Sequence, residues 1–344
     1  MHVAIAMLGR GSGGIEQAFV DQCEGLRARG LSITAITDPR ADANAALARL
    51  GIVPRHLTNL GAWDPLAAWR LRRMLGASAP DVMLVHGGRA FALARRAAGG
   101  RVPIVAVAHN YAPSIARFAA ADGVVAITRH LAAHLAAIGV PRARIHHVPN
   151  MIRCAAQPTA RPPWRDPPVI GALGRFVAKK GFAVFIDALA ILATRGIRFT
   201  AVLGGSGQED AALRRRAAAA GLDARLRFAG WVGDQAAFHR DIDIFCLPSL
   251  HEPFGIVLLE AMAQALPVVA TASEGPQDFL EDGVDSLLVP VGDATALADA
   301  LSRLLADPGL ARTLAARGFA RTREDFAMDK VSARLEQALR AACG

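Results

Sequence analysis

Short apolar runs recur along this chain, separated by longer stretches in which apolar residues return every three or four positions. In the first half the runs predict strands near 2–8, 31–37, 82–86, 103–108, 123–127 and 145–148. The stretches between them predict helices, notably over 14–29, 64–75, 89–98 and 129–138. A Pro/Arg-rich stretch, Gln157 to Pro168, reads as a linker. A second alternation then begins with Val169-Ile170-Gly171-Ala172-Leu173-Gly174 and continues with strands near 198–203, 225–228, 243–247, 267–270 and 286–289. The last segment, Asp325 to Ala342, reads as a helix. Strands that alternate with helices and run apolar on both faces indicate parallel sheets covered on both sides. Two such series predict two facing α/β domains, with ligand in a crevice at the carboxyl ends of the strands.

Composition narrows this picture. The chain has 344 residues, long for one domain, and its 53% hydrophobic content supplies ample core. At 20% charged residues it does not resemble a disordered chain. No run of 18 uncharged apolar residues is present, so no membrane span is expected. The first eight residues read as a strand rather than a signal peptide. Cys23, Cys154, Cys246 and Cys343 are scattered, without zinc spacing or a disulfide framework, which fits a reducing cytoplasm.

Charge is uneven. Residues 1–150 hold 17 Arg, no Lys and 8 acidic residues, a net of +9; residues 151–344 hold 22 basic and 22 acidic residues. A basic half points to an anionic partner: a phospholipid surface, a phosphorylated lipid acceptor or a nucleic acid. The half contains one tyrosine, Tyr111, and no stacking-motif aromatics, which places nucleic acid last. The segment 64–75 carries Trp69 and three arginines just after Trp63, a composition that suits either an anionic membrane surface or a packed helix with solvated arginines.

The candidate chemistry concentrates at 249–267. The apolar run Ile244 to Pro248 leads into a loop bearing Glu252, then Phe254-Gly255, and Ile256 to Ala265 reads as a helix with Glu260 about one turn in. Free amides at a helix start attract phosphate oxygens, glycine admits close backbone approach, and a carboxylate can accept both hydrogen bonds of a ribose diol. Either glutamate alone has a plainer reading, since acidic residues favour the first turn of any helix. Three glycine-bearing loops follow strands. They are Gly9-Arg10-Gly11-Ser12-Gly13-Gly14, Gly174-Arg175 running to Lys179-Lys180-Gly181, and Gly204-Gly205-Ser206-Gly207. The first matches a dinucleotide fingerprint, with Asp38 at 24 residues beyond Gly14. Arg offers a bidentate fork and Lys a point charge, and a departing phosphate can use both. His109 closes a strand at its carboxyl end and can donate or accept near neutral pH. Asp241-Ile242-Asp243 runs straight into a strand, at the wrong end for a ligand, and no other cluster has metal-ligand spacing.

The string from Glu252 to Glu260 closely resembles the Glu-x7-Glu signature of retaining glycosyltransferases with two Rossmann-like domains, the family 4 type of group 1 glycosyltransferases. The resemblance spans nearly the whole chain and is specific in the second half. It implies an α/β GT-B fold. Residues 1–155 become an acceptor-binding domain, 165–324 a nucleotide-sugar-binding domain, and 325–344 a helix returning to the first domain. It implies a metal-independent hexosyltransferase with no cofactor, using a UDP- or GDP-sugar as donor. Carried over, Glu260 holds the ribose, Glu252 and His109 contact the sugar, and Arg175 and Lys180 neutralise the diphosphate. Gly13, Gly14, Gly204, Gly205, Val232, Phe254, Gly255, Ile256 and Val257 supply backbone to the donor. The chain departs from the family in having Lys179 before Lys180, and Glu274 and Asp278 where Gly and Glu are usual. It also lacks the usual glycine after Asn150.

The implied activity is sugar transfer to a cell-envelope glycan or glycolipid such as lipopolysaccharide core, in the cytoplasm or at the inner face of the membrane. A sugar-nucleotide 2-epimerase of related fold, an NAD(P)-dependent dehydrogenase and an inactive donor-binding subunit stand as alternatives.

Overall fold

The computed structural model describes residues 1–11, 13–158, 161 and 163–344. The chain divides into two compact units, one formed by Met1–Met151 with Phe326–Gly344 and the other by Ile152–Asp325.

The first unit opens with β1 (His2–Met7), α1 (Gly14–Ala28), β2 (Ser32–Thr37), α2 (Ala43–Arg49), β3 (Arg55–His56) and α3 (Pro65–Ser78). It continues with β4 (Val82–His86), α4 (Gly87–Ala98), β5 (Ile104–Ala108), β6 (Gly123–Ala126), α5 (Arg129–Ala137) and β7 (Ile145–His147). Its seven strands form a parallel sheet in the order β3-β2-β1-β4-β5-β6-β7. β4 and β5 are buried at every position, as strands covered on both faces must be. Phe19, Phe91 and Phe118 fill the space between sheet and helices, and each such burial contributes about 1.5–3 kcal/mol.

The second unit repeats the plan with β8 (Val169–Leu173), α6 (Phe182–Thr194), β9 (Thr200–Gly204), α7 (Asp210–Ala219), β10 (Leu226–Gly230) and α8 (Gln235–Arg240). There follow β11 (Ile244–Leu247), α9 (Ile256–Ala263), β12 (Val268–Thr271), α10 (Pro276–Phe279), β13 (Leu287–Val289), α11 (Ala294–Ala306) and α12 (Pro308–Arg321). Its sheet is parallel in the order β10-β9-β8-β11-β12-β13. Phe176, Phe182, Phe185 and Phe199 anchor its core.

The last helix, α13 (Met328–Ala341), belongs to the first unit and packs on α1. A glycine makes this close approach possible, because a Cβ on Gly25 would stand 3.0 Å from Ser332 Cβ. Arg29 closes the contact by donating to Glu336 at 2.5 Å.

Several elements differ from the sequence reading. The terminal helix starts at Met328 rather than Asp325, because a π-helical turn over Thr322–Phe326 intervenes. β3 and α2 were not anticipated, since a two-residue strand and a seven-residue helix carry too little periodicity to register. The expected linker is tied to the second unit. Arg161 donates to the carbonyls of Ile242 and, at 3.2 Å, His239; Arg165 donates to Asp243 at 3.1 Å. Thr159, Ala160 and Pro162 of that stretch, and Ser12 of the first glycine loop, lie outside the described residues.

Candidate functional site

In the second sheet the strand order reverses between β8 and β11, and in open parallel sheets ligands gather beyond the carboxyl ends of strands at such a reversal. The loops leaving these two strands carry Lys180 and Glu252. Lys180 Nζ donates to Glu252 Oε2 at 2.5 Å, and the buried Ser249 hydroxyl donates to the same oxygen at 3.3 Å. The loops lock together through Gly181, whose φ is +65° and whose added Cβ would lie 2.0 Å from the Pro248 carbonyl oxygen. Backbone bonds from Leu250 and His251 to the Lys179 carbonyl complete the lock.

Beyond Glu252 the chain turns at Gly255, with φ +96°, into α9. No side chain caps this helix, which opens from a glycine-led turn with the Leu258 amide bonded back to the Gly255 carbonyl at 2.9 Å. Phe254 stacks on Phe279 with ring centroids 5.2 Å apart, while Ile256 and Val257 form the first turn. Leu258, Leu259, Ala261 and Met262 bury the opposite face of the helix.

A clamp that the sequence left unassigned holds the Glu252 loop. Glu274 accepts from the Glu252 amide at 3.2 Å, and its other oxygen pairs with His251 Nδ1 at 3.1 Å. Gly275 N–H donates to the Glu252 carbonyl at 2.7 Å. A Cβ on Gly275 would sit 2.4 Å from Phe254 Cα, so only glycine fits. Burial pushes the Glu274 carboxyl up, but its own amide, the His251 ring and the Glu252 amide hold it below the usual carboxylate range. The sequence signal was the departure at Glu274 itself, visible as an unusual residue without an evident role.

Arg175 is exposed after β8 and makes no ion pair among the described residues. Glu260 is engaged: in the amide orientation that satisfies both groups, Gln235 at the start of α8 donates to Glu260 Oε1 at 2.7 Å. Gln235 was missed because only the packing of α8 on α9 brings it there.

The glycine loop after β9 is tightly packed. A Cβ on Gly205 would meet the Gly174 carbonyl oxygen at 1.8 Å, and one on Gly204 would meet Leu173 and Val232 side chains at 2.8 Å. The close approach of neighbouring protein atoms therefore calls for glycine at both positions, and Val232 packs against Gly204.

In the first unit, His109 is buried and stacked on His86, with its Nε2 2.9 Å from His86 Nδ1. One ring donates and the other accepts. Burial lowers the His109 pKa to about 4, and burial together with His109 drives His86 well below its ordinary value, so both rings are neutral at pH 7. His86 closes β4 as His109 follows β5, the same signal by which His109 was singled out. In the first glycine loop Gly13 is extended, and Gly14 opens α1.

Asp38, the acid of the dinucleotide fingerprint, is buried with both oxygens taken: Arg10 donates to one at 3.0 Å and Arg40 to the other. Burial raises its pKa, but the Arg40 amide and both guanidinium groups lower it further. A ribose would have to displace them, which counts against the nicotinamide alternative. In the second unit Asp243 is likewise structural, since it receives the Val169 amide at 2.8 Å. Among the described residues no group of three or more His, Cys, Asp or Glu is placed to hold a metal ion.

Two parallel Rossmann-like sheets, with a lysine–glutamate pair at the strand-order reversal of the second, fit the GT-B class. Residues 167–307 match the family of glycosyl transferases group 1, and residues 12–156 match glycosyltransferase family 4. The chain is 34% identical to the lipopolysaccharide core biosynthesis glycosyltransferase LpsE of Rhizobium meliloti, over 89% of each chain. It is 30% identical to the phosphatidyl-myo-inositol mannosyltransferase of Mycobacterium leprae, over 89% of this chain and 87% of that one. In fold it resembles Anabaena HepE solved with UDP-glucose, at a TM-score of 0.87 and 21% identity over 99% of both chains. This protein belongs to the group 1, family 4 glycosyltransferases and is a glycosyltransferase of GT-B fold.

Proposed function

We propose that the protein transfers a hexose from a UDP- or GDP-sugar to an acceptor hydroxyl with retention of anomeric configuration, without a metal ion or other cofactor. The observation that carries this reading is the Lys180–Glu252 pair, set between two strand-end loops beside the uncapped, glycine-led start of α9. An entering diphosphate offers Lys180 a second anionic partner and releases Glu252 toward the sugar. Arg175 and the amides of Gly255, Ile256 and Val257 then stabilise charge as it builds on the departing phosphate. The acceptor oxygen bonds to the anomeric carbon as the bond from that carbon to the phosphate oxygen breaks, and the acceptor proton passes to the leaving phosphate oxygen. Glu260 takes the ribose diol in place of Gln235. His109, Gly13 and Gly14 belong to the other unit, and their part in this reading rests on the family resemblance.

The acceptor we favour is a cell-envelope glycan or glycolipid, reached from the cytoplasm at the inner face of the membrane. LpsE and the mycobacterial mannosyltransferase, named for lipopolysaccharide core and phosphatidyl-myo-inositol, support this, as does the basic first unit. Calorimetry with UDP, GDP and their sugars tests the donor. Glu260→Ala is expected to weaken nucleotide binding about 10- to 100-fold. Arg175→Ala is expected to lower turnover about 100-fold with a much smaller change in donor affinity. Parent-like behaviour of both variants would sink the assignments, and a product of inverted configuration by NMR would sink retention.

A further inference from the structure

Among the described residues, eight large apolar side chains stand exposed, and five of them fall between residues 53 and 69. Four of the five are gathered at one place. Asp64 caps α3 by accepting from Ala67 N at 2.9 Å, and its other oxygen accepts from Leu60 N at 2.9 Å. The loop carrying Leu60 and Trp63 is thereby folded against the first turn of the helix. Leu60 is 96% exposed and Trp63 71%.

α3 turns Ala67, Ala68, Leu71 and Leu75 inward. At about 100° per residue, the opposite stripe is Leu66, Trp69, Arg70 and Arg73. A solvent-facing stripe should be polar throughout, and this one places an indole and a leucine at its centre. The Arg73 guanidinium lies 5.0 Å over the Trp69 ring, and that of Arg96 on α4 lies 4.3 Å over Trp63. Asp64 is the one acidic residue between Asp42 and Asp81, and its carboxylate is committed to backbone amides.

We propose that the loop 60–63 and the outward stripe of α3 form a docking surface for an anionic lipid bilayer. Charge complementarity selects this occupant. Indoles settle at headgroup depth, leucines reach the acyl boundary, and arginines lie among lipid phosphates. A second copy of the chain would bring the same arginines against these, and the unit as a whole carries 20 basic against 10 acidic residues. A nucleic acid would need free aromatic faces to stack on, and a guanidinium already covers one face of each indole. The surface deepens the membrane part of the proposed function and rests on it. It requires neither donor nor acceptor, so the two readings fail separately.

The test is co-sedimentation of the full chain with vesicles of phosphatidylcholine alone or mixed with phosphatidylglycerol, at low and high salt. Binding is expected only to the anionic vesicles and is expected to weaken as salt rises. Trp63→Ser with Trp69→Ser is expected to lower partitioning at least about tenfold per indole. Arg70→Gln with Arg73→Gln is expected to lower it about fivefold per arginine, at low salt only. All four side chains are exposed, so thermal unfolding is expected to match the parent. Independently of any variant, brominated lipid is expected to quench part of the fluorescence of the four tryptophans. The surface is overturned by absence of vesicle binding, by equal binding to neutral vesicles, or by undiminished binding of the tryptophan variant. It is also overturned if the patch captures RNA or dimerises the chain instead. If those results came with intact UDP or GDP binding, the glycosyltransferase reading would stand and only the surface would fall.

Discussion

The two units share one plan and use charge in opposite ways. Both carry a parallel sheet whose order runs outward in both directions from its first strand, and both place candidate site residues in loops after the strands. The second unit is close to neutral, with 19 basic and 20 acidic residues, and its site loops are cross-braced by Lys180–Glu252, His251–Glu274 and Gln235–Glu260. The first unit carries a surplus of ten positive charges, keeps a neutral histidine pair inside, and exposes tryptophan and leucine beside arginine. The comparison teaches that the sheet supplies positions, and the chemistry of the loops decides what is done with them. A site for a small, doubly charged ligand needs preset partners whose pairing can be exchanged. A surface for an extended anionic layer needs surplus charge and apolar contact instead.

The sharpest way to break this contrast is at the glycines. Gly205→Ala forces a Cβ into the Gly174 carbonyl at a φ of +136°, and it is expected to cost more than about 3 kcal/mol. Gly30→Ala in the first unit, at φ +83° with nothing within 4 Å, is expected to cost only about 1 kcal/mol. Urea unfolding of the two variants measures the difference. Equal costs would mean that the loops of the second unit are not interlocked as described.

Acid sharpens it next. His86 and His109 are neutral in the folded state and titrate near 6.5 when unfolded, so the unfolded chain binds more protons below that pH. Stability is then fully present above about pH 6.5 and is lost as pH falls toward about 4, at up to ~1.4 kcal/mol per pH unit for each ring. The second unit has one comparable ring, His239, lowered to about 4 by burial first and by Arg161 second. Thermal unfolding between neutral pH and mild acid should show the first unit losing more, and His109→Gln should flatten that loss. A profile unchanged by the substitution would remove the pair from the account.

The smallest effect concerns the clamp. Glu274→Ala leaves the Glu252 amide without its side-chain acceptor, worth about 1 kcal/mol, and is expected to raise the donor KM about fivefold with little change in kcat. A large fall in kcat with constant KM would instead place Glu274 in the chemical step.

The alternation of strands and helices, the split into two series and the Glu-x7-Glu string were all legible in the chain, because each is a local pattern within one or two elements. What packs against Gly204 and Gly205 was not legible, because a glycine in sequence does not say what approaches it. Glu274 looked merely anomalous for the same reason. Its partners, Glu252 and His251, lie more than twenty residues away and meet it only once β11 and β12 are neighbours.

By itself, then, the order of residues determined the family, the layered α/β architecture and the list of groups from which a site is built. Only the tertiary structure decided that Lys180 meets Glu252 across 72 positions, that His86 meets His109, and that the leucines and tryptophans of 60–69 stay outside. The physical reason is that hydrophobic period is written into each segment, whereas pairing between loops depends on which strands lie side by side. That ordering is settled by packing of the whole sheet against its helices.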